Sequence, residues 1–308
     1  MIKENNKKSM LADSSLLIVA LMWGGGFVAV KDALDNVTPM YITAIRFIFA
    51  SLILGIIFFK KLKNIRKKDL KASFIIALFL FGGFTTQTIG LQYTTAGKQA
   101  FLTAVYVVII PFLVWFVDKN KPDYYDIGAT LLAFAGIGFL TINKSFEFSM
   151  NFGDVLTLIC AVLFAGHIVA VNHFAKGSKG LDPVVLSILQ MAFVGIISLI
   201  SGIIFEPKFV GISKNALFPV IYLVVFSTML GFLIQNVAQK YTQPNHVGII
   251  LCLESVFGAV LSVIFLSDVF TINMVVGCII IFIAIIISET KLEFIKSTGN
   301  KKAGNVIK

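Results

Sequence analysis

The chain has 308 residues, 57% of them hydrophobic and only 14% charged, whereas about a quarter of the residues in a soluble domain are charged. That balance excludes an ordinary water-soluble enzyme or scaffold, and the length holds about ten apolar spans of ~20 residues with about a third left for loops and tails. The net charge of +10 would suit a nucleic-acid binder, but the Lys and Arg residues cluster between apolar runs on one side, so the lipid bilayer is the expected partner and nucleic acid is not.

The apolar runs predict an all-α integral membrane protein with spans at about 14–30, 40–59, 72–90, 97–117, 124–142, 152–173, 184–204, 217–239, 246–266 and 271–288. A segment at 1–13 precedes them, a short outer join containing Asn143-Lys144-Ser145 separates the fifth from the sixth, and a polar tail occupies 289–308. With the N-terminus in the cytoplasm, twenty of the 26 Lys and Arg residues fall on the inner side, and only Lys31, Lys144, Lys208 and Lys214 fall outside. This asymmetry places both termini in the cytoplasm. Ten crossings satisfy it; nine or eleven do not. A basic start followed by an apolar stretch superficially fits a secretory signal, but cleavage near Gly25 would leave nine spans, so 14–30 is expected to be a retained first helix.

Polar groups inside spans are costly and usually face the bundle interior, so the chemistry is sought there. In the first span Trp23 lies near mid-membrane, away from the usual aromatic belt, and is followed by Gly24, Gly25 and Gly26. It either stacks on a solute while the glycines let the helix bend, or marks close helix packing. Arg46 in the second span lies about 10 Å deep; its guanidinium either clamps a carboxylate or snorkels to the headgroups. Gln87 falls toward the outer end of the third span. Lys98, at the outer start of the fourth, is suited to snorkelling or to an anion, and Gln99, Thr103 and Tyr106 form a polar stripe at i, i+4 and i+7. His167 in the sixth span is a proton carrier or a structural hydrogen-bonding group. Gln235 falls toward the inner end of the eighth span. Glu254, about 12 Å into the ninth, either binds an amine, carries a proton or ties helices together. Two cations and one carboxylate together suggest a zwitterion such as an amino acid.

The chain also repeats itself. Gly83-Phe84, Gln87 and Tyr93-Thr94 recur 148 positions later as Gly231-Phe232, Gln235 and Tyr241-Thr242. Pro39 and Pro183 each precede, by seven residues, the polar Arg46 and Gln190, and Phe27-Val28-Ala29-Val30 resembles Ile168-Val169-Ala170-Val171. Five spans in each half is an odd number, so the second half is inverted relative to the first, as in many secondary transporters. The expected architecture is ten transmembrane helices as two five-helix inverted-topology repeats, over 14–142 and 152–288. Gln87 and Gln235 then fall at opposite ends, as paired gates would require.

Three stretches carry a resemblance: Trp23-Gly24-Gly25-Gly26-Phe27, the run from Tyr93 through Lys98-Gln99 to Thr103, and Leu253-Glu254-Ser255-Val256-Phe257. The chain resembles the EamA-type drug/metabolite transporter superfamily over roughly 14–288. The resemblance implies a carrier that moves small metabolites or drugs, often outward, by alternating access. Two positions depart from that pattern: Ser255, where such sequences often have proline, and Asp268, where glutamate is more usual.

Other chemistries find little support. Gly97-Lys98-Gln99 lacks the glycine spacing and the following Ser or Thr of a phosphate-cradling loop, so neither ATP drive nor a cofactor is expected. Cys160, Cys252 and Cys278 stand alone in apolar spans, which indicates neither a disulfide nor a metal site. An enzyme acting on a lipid or prenyl phosphate would need an acid–base constellation that the basic 60–71 loop lacks. A passive channel remains the other alternative. The expected partner is a small-molecule substrate, and a homodimer is compatible with this reading. Abundant Lys, Ile and Asn suggest an AT-rich bacterial genome, hence a bacterial plasma membrane.

Overall fold

In the computed structural model residues 2–119, 121–141, 150–175, 181–241 and 244–290 are described. The join at 143–149, Lys176, Lys179, Thr242 and the tail beyond 290 lie outside them, as does the His246 side chain. Every regular element among the described residues is helical. The helices are α1 (Ile2–Ala33), α2 (Pro39–Ile57), α3 (Phe59–Leu62), α4 (Lys67–Gly90), α5 (Ala96–Ala104), α6 (Tyr106–Asp118), α7 (Tyr124–Thr141), α8 (Phe152–Ala175), α9 (Pro183–Phe205), α10 (Lys214–Tyr222), α11 (Gly231–Ala238), α12 (Pro244–Leu266) and α13 (Ile272–Thr290). A π-helical segment, Leu223–Leu230, joins α10 to α11.

Among the described residues seven helical stretches are long and apolar enough to cross a membrane; Tyr124–Phe139, Ile250–Leu266 and Ile272–Ile287 are shorter apolar helices where the fifth, ninth and tenth spans were expected. Their starts carry local signals. Pro occupies the first helical position of α2 and α9, where its missing N–H costs nothing. Thr95, Asp182 and Ser213 accept backbone N–H groups at the starts of α5, α9 and α10.

Three details differ from uniform spans. α1 begins at Ile2, well before residue 14, and runs unbroken through its three glycines. The fourth span breaks at Val105 into α5 and α6, with tightened bonds from Val105 N to Leu102 O and from Val108 N to Val105 O. Pro111 within α6 cannot donate to the Val107 carbonyl, which loosens the same stretch. The eighth span is regular only at its ends, because its middle is the π segment.

Helix packing follows the repeat. α2 lies on α9 and α7 on α13; α1 packs on α12 as α8 packs on α5 and α6; α4 packs on α8 as α1 packs on α10, the π segment and α11. Exchanging the halves maps this pattern onto itself. α2 and α9 run antiparallel, since Gly202 faces Tyr41, Gly195 faces Ile48, and the Ser51 hydroxyl donates to Ile188 O at 3.0 Å. Elements related by an axis in the membrane plane meet in that way. Phe84 and Phe232, one of the repeated pairs, lie 6.0 Å apart with Phe47 between them, at 4.9 and 5.9 Å.

α4 and α8 touch backbone to backbone at Gly90 and Gly153. A Cβ on Gly153 would collide with the Gly90 carbonyl oxygen, and one on Gly90 would lie 3.0 Å from Gly153 O. Neither carbonyl can swing aside as a side chain can. Gly153→Ala is therefore expected to force the two helices apart and to destabilise the fold by about 1–3 kcal/mol, read as a lowered midpoint of thermal unfolding in detergent.

Candidate functional site

Where the halves meet they leave a cavity of about 650 Å³, including its opening to solvent. The repeated phenylalanines Phe84 and Phe232, with Phe27 and Phe164, give it an apolar wall. Into that wall project Arg46, Glu254, Gln87, Gln99, Gln235 and His167, and Trp23, Tyr106 and Ser227 also line the cavity.

Arg46 is only 2% exposed and does not snorkel. Its Nε donates to Thr228 Oγ1 at 2.6 Å and one terminal nitrogen to Ser227 Oγ at 2.8 Å. The guanidinium carbon stands 4.7 Å from the Phe84 ring centre, a cation–π arrangement. Glu254, 4% exposed, faces the same cavity within electrostatic reach of the Tyr106 hydroxyl. Neither group takes part in an ion pair among the described residues.

Trp23 donates its indole N–H to Ser227 O at 2.8 Å and packs on Phe232 at 5.3 Å. The glycines after it serve close packing: Gly24 lies against Phe257, Gly25 against the Tyr222 hydroxyl and Gly26 against Ser227. His167 Nε2 lies 3.1 Å from Gln190 Oε1, a buried side-chain hydrogen bond between α8 and α9. Gln99 Nε2 donates to Gln87 O at 2.8 Å and to Thr157 Oγ1 at 3.2 Å. Among the described residues the buried Oε1 atoms of Gln99 and Gln235 and Nε2 of Gln190 have no protein partner, so each retains a free hydrogen-bonding position.

Two of the sequence candidates lie off the cavity lining. Thr103 is buried beside it. Lys98 sits at the end of the fold where α5 begins, and its ammonium donates to Asp154 at 2.6 Å. Thr94 Oγ1 and Asn151 N also donate to that carboxylate, at 2.8 and 3.0 Å. Lys31 adds bonds to the carbonyls of Leu91 and Thr94 at 2.7 and 2.9 Å, and Asp268, the unusual loop aspartate, accepts from Gly97 N at 3.2 Å. This largely buried polar network ties α1, the α4–α5 turn, α5 and α8 together at that end.

At the other end of the fold Lys61 pairs with Asp182 at 2.8 Å, and both side chains are well exposed. Partial burial pushes the Asp182 carboxyl up, but Lys61 and the N–H groups of Val184 and Val185 outweigh it and hold the carboxyl below its ordinary value.

Ser227, Thr228 and Asp154 were missed in the sequence because none falls at a position that the repeat marks as polar in both halves. Asp154 did carry a signal, since Asn151 three residues earlier caps it reciprocally.

The EamA-like transporter family matches the chain twice, over residues 10–142 and 151–290. An uncharacterized transporter of Archaeoglobus fulgidus is 35% identical over 285 residues, 92% of this chain and 88% of the relative. The uncharacterized transporter YvbV of Bacillus subtilis is 24% identical over 94% of this chain and 95% of its own. A WAT1-related chloroplastic protein of Arabidopsis thaliana is 25% identical over 85% of this chain and 66% of its own. A solved crystal structure shares the fold, with a TM-score of 0.69 at 16% identity over 93% of this chain and 99% of that one.

Proposed function

The chain belongs to the EamA-like transporter family in both of its halves, and from that premise we propose that it is a secondary carrier for a small, amino-acid-like organic solute. It works by alternating access across a bacterial plasma membrane, in ten crossings arranged as two inverted five-helix repeats, and moves its solute outward. The observation that carries this reading is the pair of buried charges, Arg46 and Glu254, facing one cavity between the halves with no ion-pair partner among the described residues.

A buried charge is retained only when something pairs with it, and here the solute supplies the partner. Its carboxylate meets Arg46, its ammonium meets Glu254, and its apolar body lies among Phe84, Phe164 and Phe232. The emptied Glu254 carboxylate accepts a proton, so proton and ammonium occupy it in turn and the two fluxes are opposed. The Lys98–Asp154 network closes the outer end while the solute is exchanged at the inner one. Transit requires that the halves rock and that this network part, with the solute bound about equally in both end states.

Counter-flow in proteoliposomes tests the carrier directly. Vesicles preloaded with one amino acid from a panel are expected to accumulate the labelled form transiently for at least one member. If no member exchanges in folded protein, the amino-acid-like class is wrong and lipid-like or drug-like solutes come next. Ion currents far above carrier turnover would instead indicate a channel.

A further inference from the structure

The π segment Leu223–Leu230 and the run Trp23-Gly24-Gly25-Gly26 meet at Arg46, and the contact explains both. In a π-helix the carbonyl bonds five residues ahead, and each residue turns through a smaller angle than in an α-helix. Adjacent side chains therefore share a face more nearly, and the Ser227 and Thr228 hydroxyls reach the same guanidinium, at 2.8 and 2.6 Å. The altered ladder is held from α1. The Tyr222 hydroxyl donates to Met22 O at 2.9 Å at the start of the segment, and the Trp23 indole donates to Ser227 O at 2.8 Å within it. Gly25 and Gly26 make that approach possible: a Cβ on Gly25 would collide with the Tyr222 hydroxyl, and one on Gly26 would lie 2.9 Å from Ser227 Oγ.

Both acceptors are neutral. A guanidinium does not shed its proton in a protein, so two hydroxyls satisfy two of its donors and leave its charge uncancelled. A buried carboxylate in their place would have neutralised it and left nothing for a ligand. The arrangement occurs once. The 148-residue repeat carries Ser227 and Thr228 back to Phe79 and Leu80, and the counterpart of Arg46 is the neutral Gln190.

We infer that Ser227 and Thr228 are positioning residues that orient Arg46, still charged, as the clamp for the carboxylate of an apolar solute, and that the π segment exists to bring them there. The inference deepens the carrier reading and rests on its cavity. Arg46 supplies the specificity: carboxylates are accepted, and the same molecule as a carboxamide loses that contact. Ser227 and Thr228 set how well the fork is aimed.

The test uses the full-length protein with Trp115→Phe, which leaves Trp23 as the remaining tryptophan and its emission as the binding signal. Three probes of one shape are titrated: leucine, isocaproate (the same skeleton with no amine) and leucinamide. Leucine and isocaproate are expected to bind more tightly than leucinamide. Thr228→Val, which removes the hydroxyl at nearly constant volume, is expected to weaken leucine and isocaproate about tenfold or more, the scale of a lost hydrogen bond to a charged group. Leucinamide should be unaffected, and Thr228→Ser should restore carboxylate binding to within about twofold. Ser227→Ala provides an independent variant with the same expected pattern.

Equal weakening of all three probes would show a merely structural role and overturn the inference. So would unchanged carboxylate binding in both hydroxyl-deleted variants, or no binding of either carboxylate to the unmutated site. The carrier reading fails separately: carboxylates that bind in this pattern without any counter-flow would leave the clamp standing and remove the transport.

Discussion

Glu254→Gln is expected to abolish accumulation driven by a pH gradient while leaving the protein folded. With the membrane potential clamped and one proton exchanged per solute, unmutated carrier should concentrate solute about tenfold per pH unit on the acidic side, because a tenfold ratio corresponds to about 1.4 kcal/mol. Glutamine keeps the shape of the side chain and one oxygen that accepts from the solute's ammonium, but it carries no charge and cannot cycle a proton. The variant should therefore carry solute only to equal concentrations on both sides. The measurement is labelled-solute uptake into proteoliposomes at several internal pH values, with the external pH held constant. Unchanged accumulation and pH dependence would show that Glu254 carries no proton. The expectation follows from its position, facing the cavity with no ion-pair partner among the described residues.

Asp154→Leu is expected to be the most damaging single change to stability. Its carboxylate is fully buried and accepts from Lys98, Thr94 and Asn151. Removing it strands the Lys98 ammonium in a dry site, a loss of about 3–5 kcal/mol where one partner of a buried pair is deleted. Lys98→Met alone should cost less, since the remaining carboxylate keeps its backbone and hydroxyl donors. The double variant Asp154→Leu/Lys98→Met removes both charges and should recover most of the loss. Cys160, Cys252 and Cys278 are free and buried, so the rate at which a thiol-reactive dye labels them on heating reports unfolding in detergent. A double variant as unstable as Asp154→Leu would show that the stranded charge is not the cause.

Much of the architecture was legible from hydrophobic patterning, because a bilayer forces each spanning segment to satisfy its own backbone. The repeat was legible too. Gly83-Phe84 and Gly231-Phe232 had only to be aligned, and the helix packing obeys the same exchange of halves. The π segment was hidden, because Leu223–Leu230 is uniformly apolar apart from Ser227 and Thr228, and nothing in such a run marks where a hydrogen-bonding ladder slips from i+4 to i+5. The break at Val105 was hidden for a related reason, lying six residues before the proline that loosens the stretch.

The candidate site divides along the same line. That Arg46, Glu254, Gln87, Gln235 and His167 sit inside apolar runs is a property of the sequence, and the cost of exposing them to lipid turns them inward wherever the helices pack. Which of the inward groups share a cavity and which pair with each other depends on contacts between residues far apart in the chain. Lys98, at the boundary of its span, was suited to snorkelling or to an anion, yet Asp154, 56 residues away, claims it. Among the described residues Arg46 hydrogen-bonds to hydroxyls from residues 181 and 182 positions away. By itself the sequence determined which groups must be hidden from lipid, because burial energy depends on composition and period. Only the tertiary structure decided which buried charge is cancelled and which is left for a ligand, because charge pairing is set by distances of a few ångströms between helices that the chain order does not encode locally.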